Sequence, residues 1–153
     1  PDRLELLLEE HVMLARWVSG GLVNTHGEIF PSETGRSLPL FSGPAGSAPD
    51  IARQYLVFSR VLASINLRPV QVQMSQRRAW QVWLDNGLLL VLGRQRSEAR
   101  LKKFVAAYNR SIEQLQWQPD YADLRYDNGF ALRVPEAVRQ QSGPAKREQR
   151  KPA

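Results

Sequence analysis

The tripeptide Asp-Asn-Gly occurs twice in this chain, at 85–87 and at 127–129, each time between two segments of strand character. Glycine accepts the positive φ that a tight hairpin turn requires, and Asp or Asn beside it can hydrogen-bond its own backbone. Strands joined by so short a turn pair with each other and run antiparallel. Before the first turn, Trp80, Val82 and Leu84 fall at every second position; after it comes the apolar run 88–92, which suits a buried strand. The second turn links 121–126 to Phe130-Ala131-Leu132-Arg133-Val134. The shared tripeptide hints at an internal repeat, but its fitness for a turn accounts for both copies without one.

The remaining pattern fills in the fold. Residues 4–8 and 11–17 read as extended, with a break at Glu9-Glu10, and Gly20-Gly21 then punctuates the chain. Leu22-Val23 and Ile29-Phe30 flank Asn24-Thr25-His26-Gly27, another hairpin turn. The stretch 31–49 is rich in Pro, Gly and Ser and is expected to be a long loop, pinned to the core by Leu38, Leu40 and Phe41. Ser47 is placed to cap a helix, with Pro49 in its first turn and Asp50 three residues on. Ile51, Tyr55, Phe58, Leu62 and Ile65 then recur at helical spacing until Pro69. Val70, Val72 and Met74 alternate with Gln71, Gln73 and Ser75, a half-buried strand. Gly93 breaks the strand 88–92, and Ser97 is placed to cap a second helix carrying Leu101, Phe104, Val105, Tyr108, Ile112 and Leu115. The expected class is α+β: a mostly antiparallel, twisted β-sheet with two helices on one face.

With 153 residues the chain suffices for one domain with a real core. Hydrophobic residues make up 42% and charged residues 24%, as in a soluble globular chain, and no apolar run approaches the roughly 18 residues of a membrane span. The first residue is Pro1, not Met, so the chain is expected to be a piece of a longer protein. It has no cysteine, which excludes disulfides and thiolate zinc sites. Net charge is +6, and half of it falls in 136–153, where Arg139, Lys146, Arg147, Arg150 and Lys151 stand against Glu136 and Glu148. That stretch has no large aliphatic after Val138 and reads as a disordered, solvated basic tail.

The sequence carries no catalytic or metal-binding signature. His11 and His26 are the only histidines, with no metal-ligand spacing and no Gly-x-Ser-x-Gly elbow in the chain. The run Ser42-Gly43-Pro44-Ala45-Gly46-Ser47 leads into a helix N-terminus but lacks the Lys-Ser/Thr ending of a phosphate loop. No enzyme, cofactor or metal is expected. Arg77-Arg78 stand before Trp80 and Trp83, and basic residues among aromatics can mark a nucleic-acid surface. If the strand reaches back to them, Arg78 shares a face with Trp80 and Arg77 with Trp83, one snorkelling beside core tryptophan and the other more exposed. The plainer reading of each, a solvated or stem-packed arginine, is the one favoured before other observations are weighed. By the same parity Arg125 lies with Tyr121 and Asp123, while Tyr126 points the other way with Leu124, either packed in the core or at an interface. The last strand is a candidate sheet edge, whose unpaired N–H and C=O groups must be blunted or used. The reading adopted is that it recruits another chain.

Four stretches together are similar to the extracytoplasmic β-domain of the bacterial FtsQ/DivIB cell-division family. They are Glu9-Glu10-His11-Val12-Met13-Leu14-Ala15-Arg16-Trp17; Leu38-Pro39-Leu40-Phe41-Ser42-Gly43-Pro44-Ala45-Gly46-Ser47; Arg77-Arg78-Ala79-Trp80-Gln81-Val82 with Leu92-Gly93-Arg94; and Asp123-Leu124-Arg125-Tyr126-Asp127-Asn128-Gly129. The resemblance covers about 4–135. It implies that residues 1–17 hold the last strand of a POTRA domain and a junction, that 18–135 form the β-domain, and that 136–153 are the tail. It also implies a non-enzymatic divisome scaffold, single-pass in the inner membrane, with this domain periplasmic and at the septum. The implied partners are FtsB and FtsL, with FtsB held by β-strand addition along 128–134. On that reading Arg77 and Arg125 meet partner acids, and Tyr126, Asn128 and Gly129 form the contact around the turn. Phe130 and Leu132 belong to the strand that receives the partner. Where the family usually has Ser, this chain has Asn128, a residue suited to positive φ. The competing reading, a nucleic-acid-binding module using Arg77-Arg78-x-Trp80, predicts affinity that falls steeply with salt.

Overall fold

Nine strands form a single sheet in the computed structural model of the chain, which describes residues 12–141. The strands are β1 (Met13–Trp17), β2 (Leu22–Asn24), β3 (Ile29–Phe30), β4 (Leu40–Ser42), β5 (Pro69–Met74), β6 (Trp80–Leu84), β7 (Leu89–Gly93), β8 (Tyr121–Asp123) and β9 (Ala131–Arg133). The helices are α1 (Ala48–Ala63), α2 (Ser97–Ala107) and α3 (Glu136–Gln141). The spatial order is β3-β2-β1-β4-β5-β6-β7-β8-β9. Five neighbouring pairs are antiparallel; β1–β4, β4–β5 and β7–β8 are parallel. The class is α+β, as expected, with a mixed sheet.

The first Asp-Asn-Gly turn closes the β6–β7 hairpin. Gly87 N donates to Leu84 O at 3.0 Å, Leu88 N donates to Asn86 Oδ1 at 3.1 Å, and Gly87 takes φ 86°. The second is not the tight turn expected: it lies within the connection 124–130, because β8 ends at Asp123 and β9 begins at Ala131, and there Asn128 does not take a positive φ while Gly129 does, at 155°. The expectation for Asn128 is thereby corrected, because the glycine absorbs the unusual backbone. In the β2–β3 hairpin, Asn24 Oδ1 accepts from His26 N at 3.0 Å and Glu28 N at 2.9 Å.

One side of the sheet carries the core. Phe41, Val72, Val82, Leu84, Leu90 and Leu92 meet Ile51, Phe58 and Leu62 of α1 and Leu101 and Phe104 of α2. Trp80 turns its edge to Phe58, with ring centroids 5.8 Å apart and planes at 83°. Along β5, Val72 and Met74 are buried and Gln71 and Gln73 half-buried, the period of two seen in the sequence, but Val70, expected on the buried face, is 44% exposed where the register shifts between Pro69 and Gln71.

Several expectations change. The stretch 31–49 is not all loop: β4 lies inside it, parallel to both β1 and β5 in the middle of the sheet. Three residues show no period, and parallel partners are distant in sequence, so local pattern cannot reveal such a strand. Ser47 does not cap α1 with its side chain; its hydroxyl donates to Pro44 O at 2.6 Å. Nor is Ser97 a cap, because Arg96 occupies that position at φ 52° and Ser97 is the first helical residue. Beyond α2 the chain winds on as a π-helical turn, Tyr108–Ile112, which keeps Ile112 in the core. Met13–Trp17, which the resemblance placed with a preceding domain and junction, pair on both sides within this sheet. The disordered tail expected from 136 is likewise corrected in part, since Glu136–Gln141 form α3. Residues 4–8, His11 and the basic residues from Lys146 on lie outside the described residues.

Candidate partner-binding edge

Among the described residues, strand β9 ends the sheet and pairs with β8 on one side only, through Tyr121↔Arg133, Ala122↔Leu132 and Asp123↔Ala131. The opposite edge, β3, is two residues long. Ala131 and Arg133 are exposed, while Leu132 and Phe130 pack against the core. Phe130 stands edge-on to Phe104 of α2, with centroids 5.5 Å apart and planes at 68°. That contact fixes the chain where it enters β9. Arg133 is held as well: its Nε donates to Asp120 Oδ1 at 3.1 Å, and its guanidinium lies 4.8 Å from the Tyr121 ring centroid.

The turn before β9 projects from the sheet. Tyr126 is 58% exposed, which settles its two readings against core packing, although Leu124 is buried as expected. The chain leaves strand geometry after Asp123, so the parity that paired Tyr126 with Leu124 no longer applies. Two depressions border the turn. One, of ≈390 Å³, is lined by Arg100, Lys103, Leu124, Tyr126 and Phe130, and the other by 126–131. Lys103 Nζ donates to Asp127 O at 3.3 Å, tying the turn to α2.

Arg125 is anchored to its own strand. Asp123 Oδ1 accepts from Arg125 N at 3.1 Å and from Arg125 Nε at 2.9 Å, and Asp123 Oδ2 accepts from Arg125 Nη2 at 2.7 Å. The Asp123 side chain is 10% exposed and that of Arg125 56%. The Arg125 side-chain hydrogen bonds hold the Asp123 carboxyl below its ordinary 3.8, against the opposing effect of burial, with the Arg125 backbone N–H and the Arg100 charge adding to the lowering. The same pair raises the Arg125 pKa. A folded pKa below the unfolded one means the pair's stabilisation is complete above the unfolded value and vanishes as pH falls through the folded value. Asp123→Asn is therefore expected to be less stable than the parent near neutral pH, by on the order of 1 kcal/mol for a pair half open to water. Urea unfolding of both chains from pH 6 downward should show the gap closing below about pH 4; a gap constant across that range would mean the carboxylate charge contributes nothing.

Arg77 and Arg78 lie on the hairpin loop between β5 and β6, not on a strand. Ser75 N donates to Ala79 O at 2.9 Å, Ala79 N donates to Ser75 Oγ at 3.1 Å, and Arg78 sits at φ 62°. Strand parity therefore assigns neither arginine a face. Both are exposed, and Arg78 Nη1 lies 3.5 Å from Asp50 Oδ2 at the start of α1. Trp80 is buried against Phe58 and offers no face for a stacked base, which leaves only the half-buried Trp83 for the nucleic-acid reading. The register places this loop at the same end of the sheet as Arg125, since Met74 faces Trp80, Trp80 faces Gly93, and Val91 faces Asp123. Two inter-strand steps separate them, about 10 Å. The fold thus gathers Arg77, Arg125, Tyr126, Asn128 and Gly129 at one end of the sheet and runs Phe130 and Leu132 away along its edge. Arg100, Lys103 and Asp123 were not singled out from sequence; the Asp-x-Arg spacing of one strand face was the available signal for Asp123.

These features define a mixed α+β sheet domain whose last strand, among the described residues, has no neighbour on its outer side. Among the described residues no group of three or more His, Cys, Asp or Glu is placed to hold a metal, and no helix is long and apolar enough to cross a membrane. Residues 15–125 match the family described as cell division protein FtsQ/DivIB, C-terminal. The chain is 41% identical over 133 residues to "Cell division protein FtsQ" of Nitrosospira multiformis, covering 87% of this chain and 56% of that protein. It is 36% identical over 162 residues to the Escherichia coli protein of the same name, covering 97% of this chain and 58% of the other. The chain belongs to the FtsQ/DivIB family of cell division proteins. It spans a little over half the length of these relatives. The family match ends at Arg125, immediately before the turn and β9.

Proposed function

We propose that this domain is a non-enzymatic scaffold of the divisome that recruits FtsB, and with it FtsL, by adding a partner strand to the open side of β9. The observation that carries the reading is the position of β9: among the described residues it closes the sheet order and pairs with β8 alone. Backbone pairing supplies affinity with little demand on sequence, while side chains around the edge select the partner. Tyr126 is the exposed aromatic anchor beside the edge, and Arg77 and Arg125 are the cations that meet partner acids. Asn128 and Gly129 shape the turn, and Phe130 and Leu132 hold the receiving strand against the core. In the full-length protein, the domain would stand in the periplasm at the division septum, tethered to the inner membrane by a helix outside this sequence.

The test is a proline at whichever of 131–133 directs its amide away from β8. Such a substitution removes a donor needed only by an added strand. A peptide of the periplasmic part of FtsB from the same genome should lose more than about tenfold in affinity, close to 1.4 kcal/mol. The circular dichroism spectrum and melting of the domain should stay unchanged. Undiminished binding by a folded proline variant would exclude strand addition at β9.

A further inference from the structure

The pairing of Arg125 with Asp123 uses only part of the guanidinium. Of its five N–H donors, the side-on pair formed by Nε and Nη2 faces the Asp123 carboxylate, at 2.9 and 2.7 Å. The fork has a second, end-on pair of parallel donors, one on Nη1 and one on Nη2, and neither is directed at Asp123. The side chain remains 56% exposed, and its hydrogen bonds to Asp123 take only the side-on pair. Below the stem lies Gly93: a Cβ there would come within 3.0 Å of Arg125 Cγ and 3.3 Å of Cδ. The glycine therefore lets the stem lie flat on the end of β7. Arg100 is bound on the same patch, its Nη1 donating to Leu92 O at 2.8 Å.

An unrestrained arginine loses substantial rotamer entropy when it engages a ligand. Here that ordering has already happened in the free domain. The carboxylate also accepts the Arg125 backbone N–H at 3.1 Å, so one buried side chain fixes both the backbone departure from β8 and the orientation of the guanidinium.

We propose that Asp123 is a positioning residue for partner selection: it locks the side-on face of Arg125 and so aims the end-on donor pair at a carboxylate of the incoming chain. This rests on the strand-addition reading above and names how the edge tells an acidic partner residue from its amide. A carboxylate offers two acceptor oxygens to the two parallel donors, whereas Gln or Asn offers one oxygen and presents an N–H to the other donor. The discrimination requires a fixed fork. An arginine free to rotate can meet the amide oxygen with one donor and turn the rest to water.

Two measurements on the chain as it stands decide the matter. In the free domain, the Arg125 Nε–H should give a resolved, slowly exchanging NMR signal. In Asp123→Asn, which keeps Oδ1 for the Arg125 backbone N–H, that signal should merge with those of the solvated arginines. The second measurement compares an FtsB periplasmic peptide with the same peptide carrying Gln and Asn in place of every Glu and Asp. The parent should prefer the acidic peptide by about tenfold, in the range of charge-assisted pairing. Asp123→Asn should cut that preference to about threefold or less, and Arg125→Lys, which keeps the charge but not the fork, should do the same. A purely structural role for Asp123 would weaken both peptides alike and leave the ratio intact. An unchanged ratio in a folded Asp123→Asn chain, or a parent Nε–H that exchanges freely, overturns the role of Asp123 alone. Failure of the parent to bind either peptide overturns strand addition, and the selective role with it.

Discussion

Phe104→Ala should lower the unfolding free energy by about 3–5 kcal/mol, the usual cost of emptying a fully buried aromatic site. Phe104 has no exposed surface and touches two rings: Tyr108, with centroids 5.8 Å apart, and Phe130, at 5.5 Å. It sits where α2 meets the chain segment entering β9, so the cavity would open beneath the edge. Relaxation there is limited because α2 is also tied to the turn through Lys103 and Asp127. Urea denaturation at neutral pH measures the loss. A loss under about 2 kcal/mol would mean that Phe130 and Tyr108 collapse into the gap and the ring is not a fixed support. Partner binding should weaken too, beyond what the unfolded fraction accounts for, because Phe130 would no longer hold the start of β9 in place.

Gly27→Ala should destabilise the domain by about 3 kcal/mol, combining left-handed strain of roughly 1–2 kcal/mol with overpacking of similar size. Gly27 takes φ 79° in the β2–β3 turn and lies directly on the first turn of α1. A Cβ there would overlap the Cα of Pro49 and come within 2.6 Å of its nitrogen. Those are backbone atoms of a helix start, so no side chain can swing aside. The variant should melt several degrees lower, as expected for a domain of this size. At Gly87, which has φ 86° but open space around it, alanine should cost only the backbone strain. Equal losses at the two positions would show that packing against Pro49 is not what makes Gly27 necessary.

The hairpins were legible because their information is local. Gly87 marks a turn whose flanking strands must pair, and the alternation along 72–74 and 80–84 states which side chains face the core; the second Asp-Asn-Gly is a looser guide, since it lies inside the connection 124–130. Both long helices were legible for the same reason, from Ile51, Phe58 and Leu62 in one and Leu101 and Phe104 in the other. What failed was non-local or fine-grained. Strand β4 owes its existence to parallel neighbours 24 to 31 positions away, as Arg16↔Leu40 and Leu40↔Gln71 show. The caps failed because a serine before a helix has competing acceptors close by, and Ser47 takes the carbonyl of Pro44. The faces assigned to Arg77, Arg78 and Tyr126 failed because a period of two holds only while the strand lasts.

The sequence by itself determined that this chain makes hairpin-rich α+β structure ending in a Gly-turned strand, and that its residues resemble one cell-division family. Both follow from side-chain chemistry within a few residues of each turn. Only the tertiary structure decided that β9 lies at the end of a nine-stranded order, with Arg77 and Arg125 at one end of that sheet. It also decided that Asp123 already holds Arg125. Edge status depends on which strands fail to pair, and the direction of a guanidinium depends on what surrounds it. Neither is written in any short stretch of chain.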